Sequence, residues 1–336
     1  MNNTKPLRVE KAQLAATSVS VISTVKNEAG SIDRLVESLL AQTRPPDEIV
    51  IVDGGSTDGT VEIIRQYIEQ RAPIVLHIAP GCNISQGRNL AIRNARGGII
   101  ASTDAGVVLP PLWLANLLEE FDQSPSDQSE VSVVSGFFVA DCSNVFELAM
   151  GATVLPNIEE VNPKTFLPSS RSIAFRRDAW EAVAGYPEWL DYCEDLIFDL
   201  NLRKAGFQFA FAPGAVARFK PRGSLQSFAK QYFLYARGDG KANLWATRHA
   251  IRYITYTLGP LALVLGFWYK IFWLLFFLGA VAYLQRPYRR LLPSLRHYPP
   301  VDVIKAALLV PAIRLVGDVA KMVGYPVGVY WRLRNR

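Results

Sequence analysis

Three carboxylates stand where buried-looking apolar runs stop. Glu28 follows VSVISTV (19–25), Asp53 closes EIVIVD ahead of Gly54 and Gly55, and Asp104 follows IIAST ahead of Ala105 and Gly106. An acid in that setting can accept hydrogen bonds from a ligand's N–H and hydroxyl groups, or hold a hard cation. Small neighbours such as Gly54, Gly55 and Gly59 let a ligand come close to the backbone. One such acid is as much a turn residue as a ligand, whereas three at one sheet edge point to a site. Further on, Glu194 and Asp195 open the amphipathic stretch EDLIFDLNLRK. Acids there suit the positive end of a helix, and Asp199–Arg203 reads as an i,i+4 surface pair. Arg88, in SQGRNLAIRNA, is either an anion-facing side chain or a solvated helix charge beside Arg93 and Arg96.

These residues need elements to hold them. Strands are expected at 19–25, 48–52, 73–79 and 97–103. Helices are expected at 31–42, with Ser31 as N-cap, at about 60–70, and at 85–95. Such alternation predicts an α/β fold with a mostly parallel sheet and helices on both faces. Ligands then bind beyond the carboxyl ends of the strands, where Glu28, Asp53 and Asp104 fall. The glycines after Asp53 do not form G-x-G-x-x-G behind the first strand, which argues against a dinucleotide-binding dehydrogenase.

The C-terminal third differs in character. From Arg237 onward there are 15 Lys and Arg against 3 Asp and Glu, a net +12 in a chain of net +6. Between Tyr253 and Tyr283 the single charge is Lys270. This predicts membrane-associated helices: a hairpin over about 253–284 turning near Tyr269–Lys270, because a single span would bury Lys270 in hydrocarbon. Each arm of ~16 residues covers only ~24 Å of a ~30 Å core. Arg248 and Arg252 before the segment and Arg286, Arg289, Arg290 and Arg296 after it put both flanks on the cytoplasmic side. An interfacial helix is expected over about 302–324, with Arg314, Asp318 and Lys321 on its polar face. Basic residues interleaved with such apolar runs argue against nucleic acid as a partner. Cys82, Cys142 and Cys193 are odd in number and without metal-ligand spacing, as reduced thiols would be. Residues 1–17 lack a signal-peptide core and read as a flexible leader.

Three stretches together resemble family 2 glycosyltransferases of the GT-A fold: VSVISTVKNEAGSIDRLVESLLAQTRPPDEIVIVDGGSTDGT, GRNLAIRNARGGIIASTDAG and SRSIAFRRDAWEAVAGYPEWLDYCEDLIFDLNLRKAG. The resemblance covers most of residues 18–240 and implies a Rossmann-like GT-A domain there, followed by the membrane-associated region 241–336. It implies donor-binding roles for Thr24, Glu28, Asp53, Arg88 and Asp104. Asp104 matches the first acid of the DxD metal motif, with Mg²⁺ or Mn²⁺ as the implied divalent cation. Gly106 replaces the second acid, and Gly54 stands where many members carry a second Asp. Glu194 and Asp195 match the family's ED pair, which implies Asp195 as general base supported by Glu194. KQYFLYARGDGK resembles the QxxRW element: Gln231 matches the Gln, Leu234 and Tyr235 replace the Arg and Trp, and Arg237 is left to reach the diphosphate. That divergence argues against a processive polymerase.

The expectation is therefore an inverting, metal-assisted transfer of sugar from a nucleotide-diphosphate donor. The acceptor would be a lipid-linked or envelope glycan beside the anionic inner leaflet, with the catalytic domain cytoplasmic at the cell membrane. The competing reading is a non-catalytic, membrane-anchored nucleotide-sugar binder, for which the missing second acids speak.

Overall fold

The structure, a computed structural model, describes residues 18–122 and 130–335; the expected leader over 1–17 lies outside the described residues. The chain divides into two compact units. The first comprises Met1–Val139 and Ile158–Phe219, the second Ala140–Asn157 and Lys220–Arg336.

The first unit opens with the expected alternation: β1 (Val19–Val25), α1 (Ile32–Leu40), β2 (Glu48–Asp53), α2 (Thr60–Glu69), β3 (Ile74–Ile78), α3 (Ile84–Asn94) and β4 (Ile99–Ser102). All six residues of β2 are buried: Ile49–Val52 are the β-branched run expected of an inner parallel strand, and the acids Glu48 and Asp53 at its ends are buried with them. In α1, Ile32, Leu35, Val36 and Leu39 form the buried face. Ser31 precedes α1 without capping it through its side chain; its hydroxyl bonds Glu28 instead. By contrast α3 begins with a reciprocal capping box between Asn83 and Gln86.

Then come β5 (Val107–Val108), α4 (Trp113–Asp122), β6 (Val131–Ala140), α5 (Val145–Val154), β7 (Ile173–Arg176), α6 (Arg177–Ala182), α7 (Glu194–Lys204) and β8 (Gln208–Phe219). The sheet order is β3-β2-β1-β4-β7-β6-β8-β5. Strands β3, β2, β1 and β4 pair in parallel, whereas β7 joins β4 antiparallel with Ala101 opposite Ala174. β6–β7 and β5–β8 are antiparallel too, so the sheet is mixed, and its parallel character is confined to the β3–β4 half. Side chains cover both faces. Val21, Ile49 and Ala101 pack with Leu35, Ile64 and Trp113 on one side; Ile22, Val50 and Ile100 pack with Ile92, Phe175 and Phe198 on the other.

The second unit contains α5 and four long helices: α8 (Leu225–Ala242), α9 (Ala246–Leu265), α10 (Ile271–Ser294) and α11 (Pro300–Arg334). The boundary expected at residue 240 falls inside α8; the unit starts at Lys220 and takes in α5 as well. The apolar arm expected over 271–284 lies in α10, and that expected over 253–268 lies in α9 up to Leu265, its last three residues falling in the 266–270 link. Among the described helices, α10 is the one long and apolar enough to cross a membrane by length and composition. The helix expected over 302–324 is part of the 35-residue α11, which carries Pro311 and Pro326 inside it. Sequence reading treats proline as a boundary, but here the helix continues through both.

Glycine lets α8 and α11 approach closely. A Cβ at Gly324 would lie 2.2 Å from the Phe233 carbonyl oxygen, one at Gly328 2.0 Å from that of Arg237, and one at Gly240 2.3 Å from that of Tyr325. Backbone cannot yield as a side-chain tip does, so Gly328→Ala must push the helices apart. We expect a loss of about 1–3 kcal/mol, read as a lowered unfolding midpoint of the purified protein. An unchanged midpoint would contradict this packing.

Candidate functional site

The site lies at the carboxyl ends of β1, β2 and β4 and the start of α7. Arg88 is its centre. It sits on the buried face of α3, with its side chain 3% exposed, and its guanidinium spans two acids. Nη1 donates to Glu194 Oε1 at 2.6 Å and Nη2 to Asp104 Oδ1 at 2.7 Å. The Tyr186 ring lies 5.3 Å away, under the guanidinium. Burial opposes the charge on Arg88, but Asp104 and Glu194 outweigh burial and raise its pKa further. The alternative of a solvated helix charge is therefore overturned.

Asp104 follows β4 in a loop that Gly106 turns at φ +74°. Burial pushes its carboxyl up, yet Arg88 and Arg171 together hold it below the usual carboxylate range. Arg171 is the residue that sequence reading missed. Its Nε lies 3.7 Å from Asp104 Oδ2, and its guanidinium stacks 4.7 Å from the Phe219 ring. The available signal was its position, two residues before β7 within SRSIAF. Gly106 also has a spatial explanation. A Cβ there would stand 3.7 Å from Glu28 Oε2, so an acid at 106 would crowd a second carboxylate against Glu28 in a left-handed conformation.

Glu28 and Asp53 are committed to loop structure. The Glu28 amide donates to Thr60 Oγ1 at 2.8 Å, and its carbonyl accepts from the Ser31 and Ile32 amides. Asp53 Oδ1 accepts from the amides of Gly55 at 2.9 Å and Ser56 at 2.8 Å, and Oδ2 accepts from the Ser56 hydroxyl. Asp53 thus folds the Gly54–Thr57 loop over the end of β2. Thr24 packs against α3, where a Cβ at Gly87 would meet its Cγ2 at 2.4 Å; its Oγ1 has no hydrogen-bond partner.

Helix α7 brings in three acids. Glu194 is buried, and burial with the neighbouring Asp195 charge pushes it up to about 7 against the pull of Arg88. Asp195 is partly exposed, and its Oδ1 accepts from the Leu196 amide at 2.8 Å. Asp199 is buried, not at the surface: its Oδ2 lacks a partner, and burial plus Asp195 raise it well above the usual range. Arg203 meanwhile donates to the Phe166 carbonyl at 2.8 Å. The segment before α7 is pinned by Asn89, whose Nδ2 donates to the Tyr186 carbonyl at 2.8 Å and whose Oδ1 accepts from the Tyr186 amide at 2.9 Å.

Among the described residues no group of three or more His, Cys, Asp or Glu side chains is placed to hold a metal ion. One carboxylate remains at the strand end, Asp104, with Oδ1 on Arg88 and Oδ2 facing Arg171 at a longer distance. Asp104 is thus the one strand-end carboxylate that could take a hard cation, whose other positions would have to come from substrate phosphates and water.

Residues 20–167 match the Glycosyl transferase family 2 model. These matched residues belong to glycosyltransferase family 2. This glycosyltransferase is 27% identical over 239 residues to the succinoglycan biosynthesis protein ExoA of Rhizobium meliloti, covering 68% of this chain and 71% of the relative. It is 26% identical over 233 residues to the glycosyltransferase AglE of Haloferax volcanii, covering 68% and 74%. Its fold is similar to that of the mannosyltransferase PcManGT from Pyrobaculum calidifontis, a structure in complex with GDP-Man and Mn²⁺. That likeness has a TM-score of 0.54 and 19% identity over 95% of this chain and 87% of that one. The first unit thus brings together Arg88, Asp104, Glu194 and Asp195. Gln231 and Arg237 lie on α8 in the second unit, where Gln231 Nε2 donates to the Tyr235 hydroxyl at 2.7 Å.

Proposed function

We propose that this glycosyltransferase moves a sugar from a nucleotide-diphosphate donor to a membrane-proximal acceptor, with inversion at the anomeric carbon. The observation that carries the reading is the Arg88 fork, which ties Asp104 at the end of β4 to Glu194 at the start of α7. It sets the acid beside the strand ends, where a diphosphate is expected, against the acids suited to receive an acceptor proton.

In the mechanism Asp195 takes the proton from the acceptor hydroxyl as the hydroxyl oxygen attacks the anomeric carbon, while the bond from that carbon to the donor's phosphate oxygen breaks and nucleoside diphosphate leaves. One displacement at that carbon inverts its configuration. Glu194 and Arg88 are positioning residues: Glu194 anchors the guanidinium, which in turn holds Asp104. Glu28, Asp53 and Thr24 shape the pocket floor for nucleoside. Asp104 would hold a Mg²⁺ or Mn²⁺ that, when bound, neutralises diphosphate charge. Arg171 adds positive charge beside the same carboxylate. Gln231 and Arg237 are assigned to the donor side of the reaction.

Membrane association of residues 241–336 is supported by exposed apolar side chains on α9, α10 and the link between them. Phe267 is 74% and Trp268 71% exposed in the link, with Leu258 exposed on α9 and Phe277 and Val281 on α10. A hairpin with basic flanks would keep the catalytic domain cytoplasmic at the cell membrane, near a lipid-linked or envelope glycan.

The test is turnover of a panel of nucleotide-diphosphate sugars by the purified full chain, with Mg²⁺ or Mn²⁺ and with chelator. Nucleotide diphosphate release should depend on the cation, and NMR of the product should show the anomeric configuration inverted. Retention would overturn the single displacement, and binding without release from any donor would favour a non-catalytic binder.

A further inference from the structure

Arg88 cannot supply all the positive charge that a diphosphate needs at this site. Its side chain is 3% exposed, and its terminal nitrogens already bond Glu194 and Asp104. An anion arriving at Asp104 therefore meets a guanidinium that two acids share. A nucleoside diphosphate carries negative charge on both phosphates and gains more as it leaves. Arg171 brings another guanidinium to the same carboxylate, with Nε 3.7 Å from Asp104 Oδ2, and its side chain is 24% exposed.

The fold explains why Arg171 stands there. β7 runs antiparallel to β4 with Ser102 opposite Ile173. Continued past the end of β4, that register sets Ser172 against Thr103 and Arg171 against Asp104. Both neighbours of Arg171 are fixed. Ser170 is buried, with its hydroxyl oxygen 3.2 Å from that of Tyr186. Ser172 is buried too, donating to the Ala215 carbonyl at 2.7 Å and accepting from Trp113 Nε1 at 2.8 Å. The backbone is thus held while the side chain stays partly open to solvent.

The guanidinium is engaged in ways that leave it able to change partner. Nη1 donates to Ser169 Oγ at 3.2 Å, and one face lies 4.7 Å from the Phe219 ring. Phe219 pairs opposite Val107, just after the Asp104 loop, so the ring belongs to the same rim. Stacking occupies a face, whereas the N–H donors lie in the plane, where their fork matches phosphate oxygens. At 3.7 Å the Asp104 contact is longer than a hydrogen bond, and it exchanges at small cost. The buried Arg88 pairs, at 2.6 and 2.7 Å, do not.

We propose that Arg171 binds the donor's diphosphate directly, exchanging its loose contact with Asp104 for phosphate oxygens. As the bond from the anomeric carbon to the phosphate oxygen breaks, the electron pair stays on that oxygen. Arg171 then donates hydrogen bonds to the leaving group without giving up a proton. This deepens the reading of a nucleotide-diphosphate donor and rests on it. The competing role is a brace that acts only through Asp104.

The full chain is titrated calorimetrically with UDP, GDP, ADP, CDP and dTDP, with Mn²⁺ and in chelator. The diphosphate bound most tightly is carried through the variants. In chelator Arg171→Met should weaken it by about tenfold, and Arg171→Lys, which keeps the charge without the fork, should fall between. The deciding comparison is made in an Asp104→Asn background. A direct contact keeps the tenfold loss there, whereas a brace has no carboxylate left to hold and the loss vanishes. Should the methionine variant not fold, Arg171→Lys with and without Asp104→Asn gives the same comparison. A loss that vanishes with Asp104→Asn, or no loss in either Arg171 variant, overturns the proposal. So does wild-type binding with Mn²⁺ that disappears in chelator, because a diphosphate held by Arg171 keeps affinity without a cation. Binding under neither condition overturns the donor reading itself, and the proposal with it.

Discussion

Asp195→Asn lowers the rate of sugar transfer by about 10²–10⁴-fold, the range that a positioned general base contributes. The amide keeps the size and one acceptor oxygen, so the bond to the Leu196 amide survives and the fold is little disturbed. Donor affinity, measured by titration with nucleotide sugar, stays close to wild type because the loss falls on proton removal. A variant that keeps more than about a tenth of the rate would remove Asp195 from this role. The pH profile sharpens the test. Burial together with the neighbouring Asp195 charge keeps the Glu194 proton on until about pH 7. Once it leaves, Glu194 meets the Arg88 guanidinium as a full ion pair and fixes the fork, so kcat/KM rises through that pH and levels above it. Glu194→Gln removes this titration, and the rise near pH 7 disappears. Stability runs the other way. The folded chain holds this proton where the unfolded chain has lost it, so between the ordinary glutamate range and about 7 stability falls as pH rises.

How much of this was legible in the sequence depends on how far apart the partners lie. The β1–β4 half was legible because each strand is a short β-branched run and each crossover helix has a clear apolar face. Local signals and the parallel pairing rule then suffice. The other half was not. β7 sits beside β4 in reverse direction, with Ile99 opposite Arg176, and nothing local in IAFR specifies that neighbour. β8 carries Pro213 and Gly214 within it, which read as punctuation and not as strand. The same holds for the site. Resemblance brought out Asp104, Glu194 and Asp195 one by one. That Arg88 joins two of them is a contact between residues 16 and 106 positions apart, which only the packing of α3 reveals. Arg171 escaped because an arginine before a strand has no local pattern. Asp199 was misjudged because i,i+4 spacing describes a helix surface, and this face of α7 is buried against Phe175 and Tyr186 through Phe198.

Arg88→Met is expected to be the most damaging single substitution. Methionine keeps much of the aliphatic length but removes the charge that two acids share, leaving Glu194 buried and Asp104 partly buried without it. Breaking a buried pair by deleting one partner costs about 3–5 kcal/mol, because the remaining charge is stranded. Thermal unfolding should show this loss at neutral pH, and it should shrink in acid, where the stranded carboxyls are protonated. The sign follows from Asp104. Its carboxyl is held low by Arg88 and Arg171, so its contribution is present above the ordinary aspartate range and disappears as pH falls through the depressed value. Arg88→Lys is not a conservative rescue. One ammonium cannot reproduce a fork that reaches Oε1 of Glu194 and Oδ1 of Asp104 at 2.6 and 2.7 Å with separate nitrogens. The triple variant Arg88→Met/Glu194→Gln/Asp104→Asn separates structure from function. With no stranded charge it should regain most of the lost stability while transfer stays abolished. Recovery of transfer along with stability would make the fork mere scaffolding, because a neutral core of the same shape would then do all that Arg88 does.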